Sequence, residues 1–146
     1  MTMSIEEISD RLEIQDLLIA YSYALDFQDW DAMEALFTPD ATVDYSEMGG
    51  SKGDLATTME FLRTTMPGFP AYQHLVAGSE IKIDGDVAHV RTMLHNPMIM
   101  SEGEQPDLMF CGLWYVDTLV RTPDGWRIKE RVEKKSYMRY FPGKKS

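Results

Sequence analysis

The sequence predicts an α+β fold with segregated layers, helices collected at the front of the chain and a curved, mostly antiparallel sheet from the back of it wrapping around them. Three observations predict it. Apolar residues recur at helical spacing through most of the first 65 positions. From Tyr72 onward the chain reads as four strands joined by turn sequences. With 146 residues, 44% of them hydrophobic, it is long enough for one buried core and short for two, so a single domain over 1–146 is expected.

Ile5, Ile8, Leu12, Ile14, Leu17, Leu18, Tyr21 and Leu25 follow one helix from about Ser4, and Ser4 with Glu7 forms a capping box. A second short helix fits Asp29 to Phe37, where Trp30, Met33, Leu36 and Phe37 share a face before Thr38-Pro39-Asp40 stops it. The period then changes to two, with Ala41, Val43 and Tyr45 on one side and Thr42 and Asp44 on the other. Met48-Gly49-Gly50 turns the chain into a third helix over about Asp54 to Thr65, and Met66 to Pro70 is a loop. The four strands are Tyr72 to Ile83, Val87 to Met100, Leu108 to Arg121 and Trp126 to Tyr137, and the short turns between them imply antiparallel hairpins.

A formal charge of -10 and a pI near 4.6 argue against nucleic acid or an anionic membrane as partner and favour solubility. The single cysteine, Cys111, lies in an apolar run away from basic residues and reads as a small buried hydrophobe. Residues 1–10 carry acids where a signal peptide carries bases, and no apolar run approaches the roughly 20 residues of a membrane helix. The cytoplasm is the expected compartment.

Chemistry is sought first at Asp26. It ends the first helix, where the helix carbonyls disfavour a carboxylate, so a compensating group is expected beside it. Among three histidines, His74 is the better candidate, opening the first long strand next to a loop, while His89 sits among polar residues after a hairpin turn. A carboxylate fixes the imidazole tautomer and leaves the other ring nitrogen to remove a proton. Tyr45, projecting inward, could donate a hydrogen bond to a substrate oxygen, as could Tyr21 from the helix.

Ordinary structural roles compete with these. Asp26 could cap the second helix, and Tyr45 could be a half-buried strand aromatic. Strict alternation back from Ile81 and Ile83 puts His74 on the outer face, so a pairing with Asp26 requires a bulge, for which Ala77-Gly78-Ser79 is the place. His95 shares parity with His89 and Arg91, the outward side, opposite Ala88, Val90, Thr92 and Leu94. Glu130, between Ile128 and Val132, marks a pocket carboxylate or a frayed alternation. Met93, Met98, Met100, Met109, Phe110 and Trp114 suggest a deformable apolar lining, though they also suit plain core or a subunit interface. No residues have metal-ligand spacing and no glycine-rich loop suits a nucleotide, so no cofactor is expected.

The runs Tyr21-Ser22-Tyr23-Ala24-Leu25-Asp26, Asp29-Trp30-Asp31-Ala32-Met33 and Phe37 to Tyr45, with Asp124-Gly125-Trp126-Arg127-Ile128 near the end, resemble the SnoaL-like branch of the nuclear transport factor 2-like superfamily. Within it the chain looks like scytalone dehydratase, hexachlorocyclohexane dehydrochlorinase and bile-acid dehydratases. The resemblance implies a cone-shaped barrel enclosing an apolar pocket, usually as a homodimer or homotrimer. It places Asp26 and His74 where the dehydrochlorinase has its dyad, Tyr45 on a catalytic tyrosine of scytalone dehydratase, and Tyr21 on a tyrosine of the bile-acid enzymes. Leu25 and Pro97 stand where scytalone dehydratase has a second tyrosine and a further histidine, and His95 lies two residues from the latter. His95, Trp114 and Tyr21 are accordingly candidates for substrate binding.

The expected function is a cofactor-independent lyase, dehydratase-like, or an isomerase acting on a small hydrophobic, cyclic or polyketide-like substrate by Asp-His general base catalysis. A non-catalytic binding or oligomerisation module of the same fold, or a cyclase or hydrolase using the same pocket, are the alternatives.

Overall fold

The computed structural model describes residues 2–145. Helix α1 spans Ile5–Asp26, and Ser4 caps it by accepting a hydrogen bond from the Glu7 amide at 3.1 Å. Its second half buries Ile14, Leu17, Leu18, Tyr21 and Leu25, but Ile5, Ile8 and Leu12, expected on the same face, are exposed. Polar contacts anchor that first half instead. Arg11 donates to the Ile81 carbonyl, and the buried Asp10 accepts hydrogen bonds from Arg121 at 2.6 and 2.9 Å and from the Trp126 indole at 3.0 Å. The Arg121 hydrogen bonds hold the Asp10 carboxyl below the usual carboxylate range, against the effect of burial.

Helix α2, Trp30–Glu34, is capped by Asp29, which accepts from the Ala32 amide. It is shorter than the sequence pattern predicts, because strand β1, Phe37–Asp44, starts where the helix was expected to run on. The Ile128 amide donates to the Leu36 carbonyl, and Phe37 pairs with Ile128, so pairing with the last strand takes these residues out of the helix. Pro39 lies inside β1, where the pairing skips from Phe37 to Thr42, as a residue without an N–H requires. Helix α3, Leu55–Thr65, follows a short strand β2, Lys52–Asp54, and is capped by Asp54.

The remaining strands are β3 (Ala71–Tyr72), β4 (Leu75–Asp84), β5 (Val87–Ile99), β6 (Leu108–Thr122) and β7 (Gly125–Phe141). The stretch expected as one strand from Tyr72 is broken at Gln73-His74 into β3 and β4, which follow one another along the same edge of β5. Seven strands form one curved, open sheet in the order β2-β1-β7-β6-β5-β3, with β4 also on β5. All its pairings are antiparallel except β1 with β7. Its inner face and the three helices bury one apolar core that includes Ile14, Met33, Met59, Leu119, Trp126 and Ile128.

Two register shifts decide which side chains reach that core. On β4, Val76 pairs with Leu94 and Ser79 with Thr92, so Ala77 and Gly78 together oppose Met93. On β7, Ile128 pairs with Leu119 and Glu130 with Thr118, leaving Lys129 as the extra residue. Each bulge reverses the facing of the residues beyond it, on β7 as far as a further shift at Ser136.

Candidate active site

The β4 bulge turns His74 toward the inside. Its backbone N–H donates to Asp26 Oδ2 at 3.0 Å, and its ring Nδ1 lies 2.6 Å from Asp26 Oδ1, so the carboxylate grips the residue at two points. The His74 side chain is 7% exposed and that of Asp26 21%, which puts the carboxylate on the solvent side of the ring. Nδ1 is turned to Asp26, which leaves Nε2 on the far side of the ring, the nitrogen that carries the lone pair in the neutral tautomer with its proton toward Asp26. Asp26 does not cap α2; Asp29 does.

The ring is also steered from the side. Tyr72 meets it edge-on, with centroids 5.8 Å apart, and the Tyr72 hydroxyl accepts a hydrogen bond from Gln28 Nε2 at 3.0 Å. Gln28 follows the end of α1 with φ of 56°, a left-handed conformation that stops the helix and sends the chain to α2.

His74 lines a cavity of about 200 Å³ between the helices and the inner face of the sheet. Leu25, Phe61, Leu62, Met98, Met109 and Leu113 supply much of its apolar wall. Tyr21 and Tyr45 supply hydroxyl groups, hydrogen-bonded to each other and buried. Burial pushes both phenols upward, well upward for Tyr45, so they are neutral donors at ordinary pH.

Below Tyr21 sits a buried ion pair. Arg131 is 0% exposed and donates from Nε and Nη2 to the two carboxylate oxygens of Asp117, both at 2.8 Å. Its guanidinium lies 4.0 Å from the Tyr21 ring centroid and 3.8 Å from that of Tyr115, and the stack fixes the tyrosine that reaches into the cavity.

The other two substrate-binding candidates lie elsewhere. On β5 the inward residues are Leu94, Asn96 and Met98, and on the neighbouring β6 they are Met109, Cys111 and Leu113. His95 and Trp114 alternate with these and lie on the outer face: His95 Nδ1 is 2.8 Å from the Tyr137 hydroxyl, and Trp114 lies under Arg91. Of the expected apolar lining, Met98 and Met109 line the cavity, whereas Met93 is exposed and Phe110 packs with His95 and Phe141. Glu130 is exposed.

Three polar features of the site escaped sequence reasoning. Asn96 was within reach of it, one step beyond Ala88, Val90, Thr92 and Leu94 on the apolar side of β5; its Oδ1 is buried without a hydrogen-bond partner. Arg131, and Glu133 in the cavity wall, face inward only because Lys129 bulges out, which brings Arg131 to Asp117 on the inner face of β6. Burial pushes the Glu133 carboxyl up to about 8, partly opposed by Arg131. Among the described residues no group of three or more His, Cys, Asp or Glu could hold a metal ion, and no helix is long and apolar enough to cross a membrane.

A curved sheet backed by helices, with a cavity on its inner face, is the architecture of a known family. The chain belongs to the SnoaL-like domain family, whose model matches residues 6–132. An uncharacterised protein of Mycobacterium tuberculosis is 44% identical over 137 residues, spanning 94% of this chain and 92% of that one. The crystal structure of a Kribbella flavida protein superposes with a TM-score of 0.81 at 26% identity, covering 91% of this chain and 95% of its own. The hexachlorocyclohexane dehydrochlorinase of Novosphingobium barchaimii shares the fold, with a TM-score of 0.80 at 15% identity over 94% and 93% of the two chains.

Proposed function

We propose that this protein is a cofactor-independent carbon-oxygen lyase that dehydrates a small hydrophobic, cyclic or polyketide-like alcohol. One observation carries the reading: an imidazole gripped at two points by a carboxylate, with its other nitrogen free, in the wall of a largely apolar cavity. An imidazole so held is a base for a carbon acid. A likeness to an eliminating enzyme, the dehydrochlorinase, adds support at the level of the fold.

In this reading the apolar wall holds the body of the substrate and excludes water. His74 Nε2 takes a proton from the carbon next to a carbonyl, and Asp26 stabilises the imidazolium that forms. The developing oxyanion accepts a hydrogen bond from the Tyr45 hydroxyl, itself supported by Tyr21, and the adjacent hydroxyl group then departs. The same proton abstraction with return of the proton to another carbon would be an isomerisation, so the products of the reaction distinguish the two.

The test is turnover of a panel of cyclic β-hydroxy ketones. His74→Ala and Asp26→Asn are expected to abolish turnover with the fold intact by circular dichroism, and Tyr45→Phe to slow it by about 10²-fold. Full activity in both dyad variants would remove the dyad from the mechanism, and tight binding of such ketones without turnover by the unaltered protein would favour a binding module.

A further inference from the structure

Resting on the elimination chemistry proposed above, we propose that Glu133 is the acid that hands a proton to the departing hydroxyl group, and that the protein accordingly takes neutral β-hydroxy carbonyl compounds rather than carboxylates or phosphates.

His74 sits at the β3–β4 edge of the sheet, and Glu133 on β7, three strand steps away across β5 and β6, about 14 Å along the sheet before its curvature is counted. Both line the same cavity, so base and acid reach a bound molecule from different walls. Glu133 pairs across the strands with Tyr115, and the buried Tyr21 and Tyr45 line the same cavity.

Among the described residues, none gives the Glu133 carboxyl a hydrogen bond or ion pair. Burial has the largest effect on Glu133 and raises it; the neighbouring cation Arg131, which gives two hydrogen bonds to Asp117, opposes that rise, and the charges of Asp117 and Asp44 add to it. Asp44 is in turn satisfied by Ser46 and Lys52. A carboxyl in that setting is kept in its acid form and can donate. The raised value near 8 agrees with the geometry.

An independent observation marks the place of a polar ligand. Asn96, 8% exposed, lines the cavity with its Oδ1 lacking any hydrogen-bond partner, an arrangement that a hydroxyl donor on a bound molecule would complete. Among the described lining residues there is no lysine or arginine to balance an anion. Both features select a neutral substrate with oxygen functions on an apolar body.

The step balances. His74 Nε2 takes the proton from carbon, the C–H electron pair becomes the new C=C bond, and the C–O bond breaks with its electrons leaving on oxygen. That oxygen takes the Glu133 proton and departs as water. Glu133 is left as carboxylate and His74 as imidazolium, and transfer of one proton from His74 to Glu133 through the released water resets the site.

The test compares two substrates on one carbon skeleton, a β-hydroxy ketone and its β-acetoxy analogue, whose acetate leaves without a proton. Glu133→Gln is expected to lower kcat/KM for the hydroxy compound by about 10²-fold or more and to cost the acetoxy compound far less, while His74→Ala loses both. The alkaline fall of the rate near pH 8 disappears in Glu133→Gln, and a carbon-13 titration of the unaltered protein shows one carboxyl titrating in that range. Equal losses on both compounds, or none on either while His74→Ala is inactive, would overturn the acid role and leave the dyad standing. Undiminished turnover by His74→Ala, or no turnover of hydroxy ketones by the unaltered protein, would overturn the elimination chemistry and this assignment with it.

Discussion

The bulges on β4 and β7 do the same thing geometrically and serve different ends. Each inserts one residue and reverses the facing of the residues just beyond it, β4 turning His74 inward and β7 turning in Arg131 and Glu133. At β4 the reward is a two-point bond between His74 and Asp26 at the rim of the cavity. At β7 it is a fully buried ion pair stacked between two tyrosines, with Glu133 one alternation further on. The first bulge sits on an edge strand, where a slip disturbs one neighbour; the second sits between β1 and β6, where it disturbs two.

That difference can be broken experimentally. Deleting Gly78 restores strict alternation on β4, turns His74 outward and separates it from Asp26; turnover is expected to fall by about 10³-fold while the fold survives. Retained activity in steady-state assays would show that the bulge does not set the direction of His74.

On β7 the larger effect is on stability. Asp117→Asn leaves the Arg131 charge buried without its counter-charge, and denaturant unfolding is expected to show a loss of about 3–5 kcal/mol. A loss under ~1 kcal/mol would mean that water reaches the guanidinium and that the pair is not a core element.

The smallest effect concerns Glu133 and pH. Its carboxyl keeps its proton to about 8 in the folded protein against an ordinary value of 4.5, so between these values the folded state binds more protons than the unfolded chain. Stability from this group is fully present below pH 4.5, declines as pH rises and is gone above about 8. Unfolding free energies at pH 5 and 8.5 should differ by roughly 1–3 kcal/mol, and Glu133→Gln should remove most of that slope. An unchanged slope in the variant would assign the pH dependence to other groups.

The two bulges also separate what was legible. At β4 a glycine inside the strand, together with a histidine on the wrong parity opposite an aspartate in need of a partner, marked both the place and the purpose of the irregularity. At β7 the extra residue is a lysine between Ile128 and Glu130, and no glycine or proline interrupts the run, so alternation carried forward from Trp126 and Ile128 pointed to Glu130 instead of Glu133. On β5 and β6 alternation was uninterrupted and sufficient: it put His95 outside, as parity said, whereas the resemblance to scytalone dehydratase brought it in.

Determined by the sequence itself were the helix cap at Ser4, the two-residue period that faces Tyr45 inward, and the order of helices before strands, because each depends on residues a few positions apart. The tertiary structure alone decided that Phe37 leaves a helix to pair with Ile128, that Asp10 rather than Ile8 anchors the start of α1, and that Glu133 meets His74 across one cavity. Those contacts join residues about 60 to more than 100 positions apart, and their energies depend on partners and registers that local periodicity does not contain.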